Sequence, residues 1–178
     1  MQLHPTSLRF GNRDGTKIVY PFEMVNIRRA TWQDAEIIGH QRVRMFADAG
    51  IADEQRTAPM LKTFVTWVQQ KLEDGSYVGW LAEHEGGEVV GGAGLWMMEF
   101  PPNWMDEQPL RAYLLNFFVV PEIRRQGLAR KLLSLSLDEA RARGVKVVTL
   151  AASKFGRPLY EQYGFKPTNE MVLRLYEQ

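Results

Sequence analysis

Hydrophobic and polar positions alternate along this chain with two different periods. Val25-Asn26-Ile27-Arg28 alternates apolar and polar side chains, which predicts a strand. Thr31 with Asp34 three residues later is a helix-start signal, and Ile37, Ile38, Met45, Phe46 and Ala49 then fall mainly at helical spacings until Gly50. A second helix is predicted over Pro59–Leu72, with Pro59 in its first turn and Leu61, Phe64, Val65, Val68 and Leu72 as its buried stripe. Tyr77–Ala82 and Glu88–Glu99 read as a hairpin around Glu85-Gly86-Gly87. The loop Phe100–Met105, with Pro101 and Pro102, cannot continue a strand. Arg111–Val120 is apolar enough to belong in the middle of a sheet. Gly127–Arg143 is an amphipathic helix on Leu128, Leu132, Leu133, Leu135 and Ala140, and Val145–Leu150 is a buried strand. Pro158 and Gly164 bracket a short helix, and Phe165 and Met171–Tyr176 are expected to supply the last strands.

The predicted order is β-α-α-β-β-β-α-β-α-β-β. The strand–helix–strand unit over residues 111–150 makes a parallel pair joined by a right-handed crossover, and the hairpins make the rest of the sheet antiparallel. We therefore expect one α/β domain over residues 23–178, with a mixed, mostly antiparallel central sheet flanked by helices. Residues 1–22 read as an N-terminal extension or short hairpin, with Asn12-Arg13-Asp14-Gly15 as its turn.

Composition narrows the chemistry. The 178 residues carry 22 Lys and Arg against 21 Asp and Glu, a formal charge of +1, so coating nucleic acid or an anionic membrane is not the expected task. The absence of cysteine excludes disulfides, thiolate nucleophiles and Cys-ligated metals. The N-terminal residues show no secretory pattern, and no apolar stretch is long enough to span a bilayer, so a cytoplasmic protein is expected.

The charge is unevenly placed. Between Glu122 and Lys131 four cations face one acid, in a turn that joins the central strand to a helix. The first amides of a helix lack internal partners and its dipole adds partial positive charge, so this turn is a candidate anion site. Gly127 and Ala129 leave room for a phosphate near the backbone, and Arg124, Arg125 and Arg130 supply forked donors. No Gly-Lys-Ser/Thr follows, as a nucleotide-binding P-loop needs, and the three-glycine dinucleotide pattern is missing. A plain helix start with solvated arginines is the competing reading.

Val119-x-Pro121-x-x-Arg124-Arg125-Gln126-Gly127-Leu128-Ala129 resembles the acetyl-CoA signature of the GNAT-type N-acetyltransferases, Arg/Gln-x-x-Gly-x-Gly/Ala. Gly156-Arg157-Pro158-Leu159-Tyr160-Glu161-Gln162-Tyr163-Gly164-Phe165 resembles the family's second signature, a tyrosine on a short helix ahead of Gly-Phe. The resemblance covers residues 25–176 and points to a bacterial subgroup of mostly unassigned substrate. It implies a GNAT-type fold whose parallel strands splay apart around the cofactor-binding helix, with a bulge near Asn116. It implies acetyl-CoA as co-substrate, with no metal, and direct attack of an amine on the thioester in a ternary complex. The pantetheine arm would lie along Phe117, Phe118 and Val119, and the pyrophosphate on Arg124, Arg125, Gln126, Gly127, Leu128, Ala129 and Arg130. Tyr160 would be the general acid that protonates the leaving sulfur; packing in the core is its other reading. Ser153 stands where many relatives have an asparagine that reaches the pantetheine; its other reading is a helix cap.

The general base is less legible. Many relatives carry a glutamate on the central strand, and this strand offers Asn116 and no acid. Glu99 is the first candidate, Glu83 and His84 follow, and a water chain is the remaining option. In the family the acceptor pocket lies between the first two helices and the loop after the third strand. Asp48, Asp53 and Glu54 could attract a cationic amine there, and Trp104 could wall the pocket. The expected partners are a small-molecule or protein amine, and a second copy of the chain. A non-catalytic acyl-CoA-binding or regulatory domain on the same fold is the alternative function.

Overall fold

The computed structural model describes residues 25–102, 104 and 106–175, so the expectation for residues 1–22 lies outside the described residues. Five strands form one sheet in the order β1-β2-β3-β4-β5. They are β1 (Val25–Arg29), β2 (Tyr77–His84), β3 (Val89–Glu99), β4 (Leu110–Val119) and β5 (Val148–Leu150). β1 through β4 run antiparallel, and β4 and β5 are parallel. The mixed sheet and the splayed parallel pair are as the sequence implied.

Four helices flank the sheet: α1 (Ala35–Asp48), α2 (Glu54–Glu73), α3 (Leu128–Ala142) and α4 (Arg157–Gln162). A 3-10 turn over Trp32–Asp34 precedes α1 and is locked by a capping box between Thr31 and Asp34. Asp34 is buried and accepts two 2.8 Å hydrogen bonds from Arg28, which joins the start of α1 to β1. Helix α2 begins earlier than its apolar stripe predicts. Asp53 caps it by accepting from the Arg56 amide at 3.0 Å, and Pro59 sits inside the helix. A proline this close to the N-terminus removes a single ladder bond, and the packed stripe carries the helix through it.

Two apolar clusters cover the two faces of the sheet. One holds Leu128, Leu132 and Leu133 of α3 against Leu114, Phe118 and Val90. The other holds Ile38, Phe64 and Val68 of α1 and α2 against Tyr77 and Leu81.

The strands expected at Phe165 and Met171–Tyr176 are not present over the described residues, where 165–174 have no regular secondary structure. Met171, Val172, Leu173 and Leu175 are instead exposed, Met171 at 97%. Their apolar character suits a strand, but a strand also needs a ladder. The three-residue β5 offers only a short edge, and no bridge forms there.

Candidate active site

The site lies where β4 leaves β5. The parallel ladder pairs Ala112 with Val148, Tyr113 with Thr149 and Leu114 with Leu150, and then stops. Two residues further on, Asn116 has φ 53°, and the register with β3 shifts between Gly92 and Gly94. The bulge expected near Asn116 is therefore in place, and it turns β4 away from its neighbour. From Asn116 to Val119 the β5-facing edge of β4 has no strand partner, so its backbone groups can receive an extended ligand arm. Phe118 and Val119 are buried and Phe117 is half-buried, so their side chains serve the core while the backbone edge stays open.

Beyond β4 the chain makes a 3-10 turn over Pro121–Ile123 and enters α3 through two left-handed residues, Arg125 at φ 65° and Gly127 at φ 96°. Ile123 is fully buried and pins the turn to the core. The first backbone bond of α3 is from the Lys131 amide to the Gly127 carbonyl, at 3.1 Å. Among the described residues, no backbone carbonyl accepts from the amides of residues 125–130. Arg124, Arg125, Gln126 and Gly127 are exposed beside them. Unpaired amides, a helix dipole and open approach fit a pyrophosphate.

The arginines are not equivalent. Arg124 donates from Nε to the Val119 carbonyl at 2.9 Å and is ion-paired to Asp48, so it braces the turn against the end of α1. Arg130 is hydrogen-bonded to Gln162 of α4. Arg125 makes no such bond to a described side chain. Leu128 is fully buried and Ala129 half-buried, which holds the first turn of α3 to the sheet.

Tyr160 is buried at 8% exposure and packs edge-on against Phe117 and Phe165, with ring centroids 5.9 and 5.8 Å away. Burial pushes its phenol up to about 12. Its hydroxyl has no hydrogen-bond partner among the described residues, and the side chain lines a cleft of about 570 Å³ beside β5. Ser153 sits on the same cleft. Its Oγ accepts from the Gly156 amide at 3.1 Å, in the turn before α4 and not as the helix cap, which is Gly156, and this leaves its hydroxyl hydrogen for a second partner.

The base candidates fare differently. Glu99 pairs with Leu110 at the far end of the β3–β4 ladder. Asn116 lies six residues further along β4, about 20 Å at ~3.3 Å per residue, so Glu99 cannot touch the splay. Its sequence position at a strand end carried no information about which end faces the site. Glu83 accepts from Arg28 at 2.8 Å, and His84 accepts through Nδ1 from the Gly86 amide in the hairpin turn. In the acceptor region Asp48 is taken by Arg124 and Asp53 by the cap of α2. Trp104 is 92% exposed and does not line the cleft that holds Tyr160.

A polar network that the sequence reading missed lies on the α1 side of the bulge. Asn116, buried at 2%, accepts from Arg42 at 2.7 Å through Oδ1 and donates to the Tyr77 hydroxyl at 3.1 Å through Nδ2. Burial raises the Tyr77 phenol far above its usual value. Gly94 belongs to this network, because a Cβ there would stand 1.9 Å from the Tyr77 oxygen. One signal was available in the sequence. Gln41 and Arg42 occupy the inward stripe of α1 between Ile38 and Met45, where apolar residues are the norm.

A strand edge without a partner, a helix start with unpaired amides and a buried phenol therefore surround one splayed strand pair. Residues 44–165 match the Acetyltransferase (GNAT) family, and the chain belongs to that family. It is 32% identical over 154 residues to an uncharacterized N-acetyltransferase of Bacillus subtilis, YhfO, covering 83% of this chain and 94% of that one. Its fold matches a GCN5-related N-acetyltransferase from Ralstonia eutropha at TM-score 0.80 and 35% identity, covering 85% of this chain and 99% of that one. It also matches a predicted acetyltransferase of Clostridium acetobutylicum crystallised with acetyl-CoA, at TM-score 0.81 and 31% identity, covering 87% and 99%. The protein is an acetyl-CoA-dependent N-acetyltransferase.

Proposed function

We propose that the protein passes the acetyl group directly to an amine held in the same complex, with Tyr160 giving the departing sulfur its proton. Acetyl-CoA supplies the activated thioester. The amides of residues 125–130, with Arg125 and Arg130, hold the pyrophosphate, and the open edge of β4 over Phe117–Val119 orients the pantetheine arm. Arg124 acts on the turn rather than on the phosphates. The acceptor, a small-molecule or protein amine, comes from the α1–α2 face, where the bulge opens the sheet. With Glu99 distant and Glu83 bound to Arg28, the amine loses its proton to water.

The observation that carries this reading is the Tyr160 phenol. It is packed against Phe117 at the splay, lacks a hydrogen-bond partner among the described residues, and keeps its proton to about 12. That suits a donor at neutral pH. Tyr160→Phe should lower kcat about 100-fold, the scale of general-acid catalysis. The stabilisation of the fold by acetyl-CoA should stay intact in thermal melts. Unchanged turnover at saturating substrates would remove Tyr160 from the chemistry.

A further inference from the structure

The α1 side of the bulge holds a cation that no described residue neutralises. Arg42 projects from the inward stripe of α1, and its guanidinium carbon lies 4.8 Å from the ring centre of Phe46 and 4.7 Å from that of Phe64. Nη1 donates to Asn116, while Nε is buried and has no hydrogen-bond partner among the described residues. No carboxylate among the described residues lies within 4.0 Å of it. Removal from water lowers its affinity for its proton, an effect that Tyr77 and Tyr113 offset in part, yet a guanidinium stays charged at neutral pH. A half-buried cation without a counter-charge carries an uncompensated desolvation cost, which an anion in the site would offset.

Its setting also fixes where that anion sits. Tyr77 accepts from the Asn116 amide, so the Asn116 carbonyl is aimed at Arg42 and the guanidinium plane cannot turn. Phe46 and Phe64 pack against the guanidinium. A planar fork approached along its edge matches a carboxylate, which can accept two parallel bonds from it. Asn116 is followed by Phe117, whose ring meets Tyr160, so the cation stands next to the reacting centre but on the opposite face of the sheet from it. Of the three acids the sequence offered for a cationic acceptor, Asp48 is committed to Arg124 and Asp53 to the α2 cap.

We infer that the acceptor is an amine that also carries a carboxylate, such as a free amino acid or a short peptide end, and that Arg42, held by Asn116 and Tyr77, binds that carboxylate. This rests on the amine-acetylation reading above.

The test compares amino acids with their carboxamides as acceptors, by release of free CoA thiol from the wild type and from Arg42→Leu and Arg42→Lys. For the wild type, kcat/KM should favour the acid at least about 50-fold, because a site built for a polar group rejects the analogue that lacks it. In Arg42→Leu the ratio should collapse towards one, and Arg42→Lys should fall between. Equal use of acid and amide by the wild type, or a ratio that survives in Arg42→Leu, overturns the inference. Calorimetry with N-acetyl amino acids and their amides, in the presence of CoA, gives a readout independent of turnover. Tighter binding of the acid that is lost in Arg42→Leu supports the carboxylate site even if no amine is acetylated, in which case the acetylation reading alone fails. Equal binding of the two forms overturns the carboxylate site whatever the turnover. If both variants melt as unfolded, the wild-type acid-to-amide ratio decides.

Discussion

The turn ahead of α3 and the inner face of α1 meet at the same bulge of β4, but they are built from different materials. The α3 side is backbone. Its groups are the amides of residues 125–130 and the β4 edge over Phe117–Val119 that lacks a strand partner, all within about fifteen residues of sequence. The α1 side is side chains drawn from far apart. Arg42 reaches Asn116 across 74 residues, and Asn116 reaches Tyr77 across 39. On the proposed reading, the backbone half takes what every acetyl-CoA presents, a pyrophosphate and an extended amide arm, and the side-chain half takes what differs between acceptors.

The largest effect to look for is in the pH profile. If no side chain on the α1 side takes the amine proton, kcat/KM should climb about tenfold per pH unit until the acceptor amine is free base. Tyr160 donates in its protonated form, which persists below its raised value of about 12, so no descending limb is expected before about pH 11. A plateau beginning near pH 5 would put a carboxylate base back on the acceptor side.

Gly94→Ala should separate the halves by stability. Its Cβ would meet the Tyr77 oxygen at 1.9 Å, and displacing a buried, hydrogen-bonded phenol should cost about 3 kcal/mol in urea unfolding. The folded fraction should still bind acetyl-CoA. Loss of cofactor binding in proportion would show that the network supports both faces.

Gly127→Ala tests the other half with a smaller change. The position has open space around it but a φ of 96°, so the cost is backbone strain, about 1 kcal/mol. Acetyl-CoA affinity should fall about tenfold as the amides lose their aim, while the acid-to-amide preference of the acceptor holds. A double-mutant cycle on Asp48 and Arg124 should give the smallest number, below about 1 kcal/mol in stability. The pair is partly exposed, with side chains 35% and 46% accessible. A larger coupling would mean that α1 and the anion turn are held as one unit.

The same division explains how much could be read from the chain alone. The positions of Arg124, Gly127 and Tyr160 around the splay were legible because they follow from local order: a strand, a turn with glycine, a helix start, then a tyrosine ahead of Gly-Phe. The bulge at Asn116 was legible through the resemblance to the family. Glu99 was misplaced because a strand end carries no label for the end of the sheet it occupies. The final strand was misjudged because β-propensity at Met171–Leu175 does not provide the ladder a strand requires. Helix α2 began early because a cap at Asp53 and a packed stripe outweigh one proline.

By itself, then, the sequence determined the α/β class, the antiparallel hairpins, the parallel crossover and the turn that opens α3. Each of these depends on periodicity or on residues a few positions apart, where local geometry leaves little freedom. Only the tertiary structure decided what stands on the other side of the bulge. Burial at the bulge brings Arg42, Tyr77 and Asn116 into one hydrogen-bonded set, and Gly94 is small because a phenol fills the space beside it. No local pattern specifies such a meeting, because it arises from packing α1 against the sheet, through hydrogen bonds between residues 39 and 74 positions apart.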